Sequence, residues 1–463
     1  MAGRERKKMA IVASYFAGET YGLLGPQVAA TVIEENTPYD CIVIAVSRED
    51  ETSSLMQALA DFFGPRRPTI GFSTLSGRQD LFQLAGQLKA EGAITLLAGP
   101  QSDVDYAGER DWQVHNHRFK GFSREFSFAL HGPAEQIIPL LKNPDTFSDT
   151  QTPGLLEYTD DGSLLRNPEK PWDNRFLRKV KWNNLFSLKE TRLEPLKITA
   201  GQVLQEIGCP YAAKEKWIEI DYPVSFFQGH DRKVKLLSKG CSFCDVAVDK
   251  GFCGLMDMET VLAQIQCLPD GNDERKIPFE LINENGCAGL YDVLLETSKR
   301  GIMLSQITLT ARADWFIKGE GRLRKALKLA RSLGTEVHLG SMGFESFDNT
   351  ILKNLNKGVT LETNLRAIQL IRQLKEEYPE HWAYSRADGS MHGFIHPTPW
   401  DTAQTWQNIQ TVFRKHSLPL DIIPDHSIPL IIHHASLLGD WIRHIEESEG
   451  KTFKRLGTII EWW

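Results

Sequence analysis

Cys241, Cys244 and Cys253 fall within thirteen residues of a 463-residue chain that holds seven cysteines in all. Gly240-Cys-Ser-Phe-Cys244-Asp supplies two thiols, and Gly251-Phe-Cys253-Gly254 supplies the third after eight intervening residues. Three thiolates on one glycine-flanked loop suit a soft metal or an iron–sulfur cluster, and three ligands in place of four would leave one iron open to a substrate. A Cys-x-x-Cys pair also fits half of a zinc site, but no second pair and no His-x3-His follows at the usual spacing. A redox pair would open a helix directly, whereas here a loop with a third cysteine follows. Buried structural cysteine is the remaining alternative. Cys41 on a strand and Cys267 on a helix read as core, and Cys209 and Cys287 carry no assignment. An odd count at irregular spacing argues against a disulfide framework.

The elements that must position this loop belong to an ordinary globular chain, 41% hydrophobic and 24% charged. Its net charge of −7 advertises no nucleic-acid or anionic-membrane surface. No apolar run reaches the ~20 residues that span a bilayer. Arg4, Arg6, Lys7 and Lys8 precede an apolar stretch from Met9 to Phe16, but Glu19 follows and no small-residue cleavage pattern does, so a first buried strand is expected and a cytoplasmic location with it.

The first ~130 residues alternate apolar runs with amphipathic stretches, the pattern of a doubly wound α/β sheet. Strands are expected at Met9–Tyr15, Cys41–Val46, Thr69–Ser73 and Ile94–Leu97, with helices at Ser54–Phe63 and Asp80–Glu91 between them. Ligands of such sheets bind at the strand carboxyl ends, which here carry Ser73 and Thr74, then Gly99 and Pro100. Gly18-x3-Gly22-x2-Gly25 is not a dinucleotide fingerprint, so NAD is not expected. A turn-rich stretch, 144–231, reads as a linker. Its basic cluster of Lys170, Arg175, Arg178, Lys179 and Lys181 reads as a solvated face over Trp172, Phe176 and Trp182. A second α/β series then offers strands at Arg232–Leu237, Ile277–Asn283, Gln306–Ala311, Glu336–Gly340, Gly393–His396 and Leu420–Ile423. Six strands separated by helices suit a partial barrel with its chemistry at the strand carboxyl ends.

Gly240-Cys-Ser-Phe-Cys244-Asp resembles the second half of the radical S-adenosylmethionine (radical SAM) signature, three cysteines spaced C-x3-C-x2-C. Asn283-Glu-Asn-Gly286, Arg312-Ala-Asp314, Gly343-Phe-Glu345-Ser346 and the run from Asn354 to Thr360 follow in the family's order. The upstream domain is similar to the cobalamin-binding domain of one subclass, with Phe128-Ala-Leu-His-Gly-Pro-Ala-Glu135 like its closing segment. The signature's first cysteine falls at Leu237, which cannot ligate iron, so Cys253 is expected to supply the third thiolate, or the chemistry has been lost. The Asp-x-His-x-x-Gly motif of cobalamin mutases is absent, and His115, His117 and His131 have no support as cobalt ligands.

The resemblance implies a Rossmann-like cobalamin domain (1–143), the linker (144–231), a partial (β/α)6 TIM-like radical SAM barrel (232–415) and a C-terminal extension (416–463). It implies a [4Fe-4S] cluster on Cys241, Cys244 and Cys253. S-adenosylmethionine would meet Phe243, Asn283, Glu284, Arg312, Asp314, Glu345 and Ser346. Cobalamin would meet Ser73, Thr74, Gly99, Pro100 and Gln101. The implied activity is methylation of an unactivated carbon through a 5′-deoxyadenosyl radical and methylcobalamin, with another radical transformation or a non-catalytic cluster protein as alternatives. The implied partners are a small-molecule or peptide substrate and an electron donor such as flavodoxin or ferredoxin.

Overall fold

The computed structural model describes residues 6–75, 78–99, 122–142, 151–225, 232–244, 252–271, 273–424, 426–456 and 459–463, with backbone alone at 252, 253 and 456. Pro100, Gln101, His115 and His117 lie outside these residues, as does the side chain of Cys253. The chain forms two compact units, Met1–Gly201 with Leu456–Thr458, and Gln202–Arg455 with Ile459–Trp463.

In the first unit, β1 (Lys7–Ser14), β2 (Tyr39–Val46), β3 (Thr69–Ser73), β4 (Ile94–Ala98) and β5 (Phe128–Leu130) pair in parallel, with β1 between β2 and β3. Both faces of β1 are covered, so Met9, Ala10, Val12 and Ala13 are almost wholly buried. The strand order 2-1-3-4-5 reverses direction between β1 and β3, which makes their carboxyl ends the topological switch point where such sheets take ligands.

The stretch expected as a linker instead extends this sheet. β6 (Leu155–Tyr158) and β7 (Leu164–Arg166) pair antiparallel beyond β5, and β8 (Leu185–Lys189) and β9 (Arg192–Pro195) continue beyond β2. The Asp160-Asp161-Gly162 cluster is the turn of a hairpin: the Asp161 carboxylate accepts the Ser163 N–H at 3.0 Å. The basic cluster is ion-paired, with Lys181 on Glu34 (2.7 Å) and Arg175 on Asp173 (2.6 Å), over a buried Trp182.

In the second unit, β10 (Gly201–Leu204), β15 (Phe279–Ile282), β16 (Gln306–Ala311), β17 (Glu336–Glu345) and β18 (Trp382–Ala383) lie side by side, and β19 (Gly393–Phe394) also pairs with β17. Between β10 and β15 in sequence come β11 (Glu206–Gly208), β12 (Glu215–Asp221), β13 (Lys233–Lys239) and β14 (Phe252–Leu255). The strand expected at 232–237 is therefore β13, and it pairs antiparallel with β12 in a two-stranded ribbon rather than opening the barrel. Its exposed Lys233, Lys235, Leu237 and Lys239 alternate with more buried residues, as befits a ribbon with one wet face. Leu420–Ile423 is not a strand either; Leu418–Leu420 forms a 3-10 turn and packs Ile422 inward.

The helices came closer to expectation. Val261, Leu262 and Ile265 share the buried face of Met258–Cys267, and Leu268 at its C-cap is buried beside them. The Thr360 hydroxyl caps Leu361–Glu377 by accepting from the Thr363 N–H.

Candidate functional site

The Cys241–Cys244 loop is pinned from below by the segment 354–356. The Ser242 N–H donates to the Leu355 carbonyl (2.9 Å), and the Ser242 hydroxyl to the Asn354 carbonyl (2.8 Å). The Asn356 amide donates to the Gly240 carbonyl at 2.6 Å. With Ser242 fully buried, these bonds fix the turn in which the Cys244 N–H donates to the Cys241 carbonyl (3.3 Å).

Arg312, buried just beyond β16, is the hub of the site. Its guanidinium donates to the Cys241 Sγ at 3.6 Å, to the Lys357 carbonyl at 2.6 Å and to Asp314 at 3.3 Å. The same group lies over the Tyr211 ring, 4.1 Å from its centroid, and 4.9 Å from that of Trp315. Lys357, also buried, donates to Glu345 at 2.9 Å and sits 6.0 Å from the centre of the Phe243 ring. Burial alone would pull the Lys357 ammonium down, but Glu345 and then the Cys241 thiol outweigh it and hold it above the ordinary lysine value. At Gly393 a Cβ would meet the Glu345 carboxylate at 2.7 Å, so a larger residue there would push Glu345 from its place.

Glu284, just beyond β15, is open to solvent, yet its carboxyl is raised, first by desolvation in dense surroundings and against the pull of Lys357 and Arg312. Beside it Glu206 is buried, its Oε1 has no hydrogen-bond partner, and burial followed by the charge of Glu284 pushes its carboxyl up to about 7. Sequence reasoning missed Glu206, because its place in the site depends on a strand of only three residues.

Cys209, also unassigned from sequence, caps the turn Pro210–Ala212 that carries Tyr211. Burial first raises its thiol, and Glu284 and Cys241 are near enough to raise it further. Cys41 and Cys287 are buried core residues.

Phe243, Glu284, Arg312, Asp314 and Glu345 are thus brought around Cys241. Two other expected ligand residues are committed elsewhere. The Asn283 amide donates to Gln205 (2.8 Å) while its oxygen accepts the Asn285 N–H (2.7 Å), and the buried Ser346 hydroxyl accepts the Asp348 N–H (3.2 Å). Trp400 is packing, buried against Trp441 with its indole N–H on the Asp221 carbonyl. Among the described residues no three His, Cys, Asp or Glu side chains converge on one metal-ion position. A cluster spreads its thiolates over a wider footprint than a single ion does. The thiols of Cys241 and Cys244 on an anchored loop, with the buried cations Arg312 and Lys357 beside them, fit such a cluster.

The switch point of the first unit has its own unsatisfied chemistry. Thr74 is fully buried and its hydroxyl has no partner, while the Leu75 N–H donates across to the Ser14 hydroxyl at 3.1 Å. Gly99 turns with φ +80°, and a Cβ there would meet the Ser73 hydroxyl at 2.7 Å. A backbone cleared of side chains beside an orphan hydroxyl fits a polar ligand over the ends of β3 and β4. His131 is buried against Arg166 and Glu169.

The fold matches that of solved structures described as a cobalamin-dependent S-adenosylmethionine radical enzyme. Solved structures of OxsB are among those that share this fold. OxsB with aqua-cobalamin and S-adenosylmethionine bound matches at TM-score 0.61 and 13% identity over 98% of this chain, and OxsB with aqua-cobalamin alone at 0.61 and 12% over 99%. Apo, selenomethionine-labelled OxsB matches at 0.60 and 12% over 98%. This chain spans 64% of the OxsB chain in each case. No family model and no curated protein matches the sequence.

Proposed function

We propose that the protein is a cobalamin-dependent radical SAM enzyme that methylates an unactivated carbon of a small-molecule or peptide substrate. The observation that carries this reading is the gathering of Cys241, Arg312, Glu284, Glu345 and Lys357 at the carboxyl ends of β15–β17, in a chain whose fold matches OxsB along nearly its whole length. When bound, the cluster and cobalamin supply one-electron cleavage of S-adenosylmethionine to a 5′-deoxyadenosyl radical and carriage of a methyl group.

The chain's own residues would bind and orient. Cys241 and Cys244 would offer thiolates, each thiol releasing its proton to solvent as metal binds. Arg312 holds the Cys241 sulfur in place from a guanidinium that is itself fixed by the Lys357 carbonyl and Asp314. Glu284 faces the same space and would accept from the methionine ammonium, and Phe243 offers a ring face to the adenine. Thr74 and Ser73 would donate to cobalamin beside Gly99. A reductant such as flavodoxin or ferredoxin would deliver the electron.

The test is anaerobic reconstitution with iron, sulfide and cobalamin, then incubation with S-adenosylmethionine and reductant. About four irons per chain and release of 5′-deoxyadenosine are expected, with S-adenosylhomocysteine once a methyl acceptor is supplied. Deoxyadenosine without S-adenosylhomocysteine would replace methylation by another radical reaction. A chain that takes up zinc and no cluster would end the radical reading altogether.

A further inference from the structure

The expected motif places its first cysteine at Leu237, and the structure disposes of that position. Leu237 is 41% exposed on the ribbon and pairs with Trp217, itself 63% exposed. A residue there faces water on the outside of a hairpin. The third thiol has to come from somewhere else.

The path of the chain points to where. Gln202 on β10 reaches Glu280 on β15 (3.1 Å), and the Gln205 N–H donates to the Ile282 carbonyl (3.0 Å), so β10 runs beside β15 in the same direction. The first strand of this sheet is therefore Gly201–Leu204, and the loop leaving its carboxyl end is Gln205 to Ala212. The thiol on that loop is Cys209. It is followed by Pro210 and Tyr211, and the Ala212 N–H closes the turn on the Cys209 carbonyl at 2.8 Å.

What then separates Cys209 from Cys241 is chiefly the ribbon. β12 and β13 pair residue for residue from Asp221↔Lys233 down to Glu215↔Lys239, so the hairpin brings the chain back to its point of departure. Only Pro210–Lys214 precedes its base, and only Gly240 follows. Arg312 confirms the return, since one guanidinium lies on the Tyr211 ring and donates to the Cys241 sulfur. The backbone of Cys253 runs nearby: β14 pairs antiparallel with β11, Ile207 with Gly254 and Gly208 with Phe252, so Cys253 is the extra residue at a bulge.

We propose that Cys209, Cys241 and Cys244 are the three thiolates of one cluster, with the hairpin Glu215–Lys239 inserted between the first and second. This rests on the cluster reading above. Cys209 starts the site from the first strand of the sheet, and the pair on the Ser242-anchored turn completes it. On this assignment Cys253 supplies no thiolate to the cluster.

The experiment compares wild type, Cys209→Ala, Cys209→Ser and Cys253→Ala after anaerobic reconstitution, by iron and sulfide content and by electron paramagnetic resonance of the reduced protein. Both Cys209 variants should lose cluster affinity by roughly tenfold or more, while Cys253→Ala keeps wild-type iron and an unchanged spectrum. Alkylation of wild type with iodoacetamide, read by peptide mass spectrometry, gives an answer that needs no variant to fold. Cys209 should be protected in the loaded protein and labelled after the iron is stripped, with Cys267 as the unchanging control. Cys209→Ala retaining full iron and spectrum, or protection passing to Cys253 while Cys209 labels in both states, would overturn the assignment and leave the cluster standing. A wild type that assembles no cluster would instead overturn the reading on which the assignment rests.

Discussion

Replacing Glu206 by Gln should make the protein less sensitive to alkaline pH. An exposed carboxyl titrates near 4.5, whereas burial and the neighbouring Glu284 push the folded Glu206 up to about 7. Between those values the folded chain holds a proton that the unfolded chain has released. The protonated group's contribution is therefore fully present below 4.5 and is lost as pH rises through 7. Each pKa unit corresponds to about 1.4 kcal/mol, so the full displacement is worth about 3 kcal/mol, and the part falling between roughly pH 5.5 and pH 8 about 2 kcal/mol. Gln cannot ionise, and its amide oxygen can still accept from the Glu284 N–H. Urea unfolding of the cofactor-free protein under reductant, at both pH values, should show wild type losing about 2 kcal/mol more than E206Q. Carbon-13 carboxyl NMR of the folded protein should place the titration directly. Parallel pH profiles for the two proteins would mean that Glu206 is already ionised in the fold, and the reasoning from its burial and orphan oxygen would fail.

Lys357→Met leaves the partly buried Glu345 carboxylate without its cation and should cost about 2–3 kcal/mol in urea unfolding, with most of the loss restored when Glu345 is also replaced by Gln. Thr74→Val removes a buried hydroxyl that has no partner, so the cofactor-free protein should gain about 1 kcal/mol. The same variant should bind hydroxocobalamin roughly fivefold more weakly by absorbance titration, since one hydrogen bond is gone. Arg312→Met removes a buried positive charge from beside the Cys241 sulfur and should shift the cluster's reduction potential to more negative values in a titration followed by electron paramagnetic resonance.

The parts of this fold that were legible in the sequence are those whose burial is written locally. Met9–Ser14 and Tyr39–Val46 carry apolar runs because parallel strands are covered on both faces, and Thr360 announces its helix by the side-chain oxygen that caps it. The errors came where local chemistry has two structural uses. The Asp160-Asp161-Gly162 cluster read as linker, but the same residues make the turn of a hairpin at a sheet edge. The Lys-Val-Lys-Leu-Leu-Ser-Lys of β13 has apolar residues enough for a core strand, yet its alternating lysines suit a wet-faced ribbon. β10 gave almost no signal, being four residues long with Gln202 in the middle. Cys209 carried no assignment from sequence, because its proximity to Cys241 is created by the pairing of a hairpin. Glu206 and Glu284 become neighbours in the same way, through tertiary structure and not through spacing.

The ribbon also changes the kinetics by which two distant cysteines meet. Closing an open loop between residues 209 and 241 costs conformational entropy that metal binding would have to offset. A two-stranded hairpin forms from local contacts in roughly microseconds, and the seven paired positions from Glu215↔Lys239 to Asp221↔Lys233 close most of that loop before any iron arrives. Assembly of the centre would then begin from an almost closed ring, and mutations at the ribbon's tip would slow maturation less than mutations at its base.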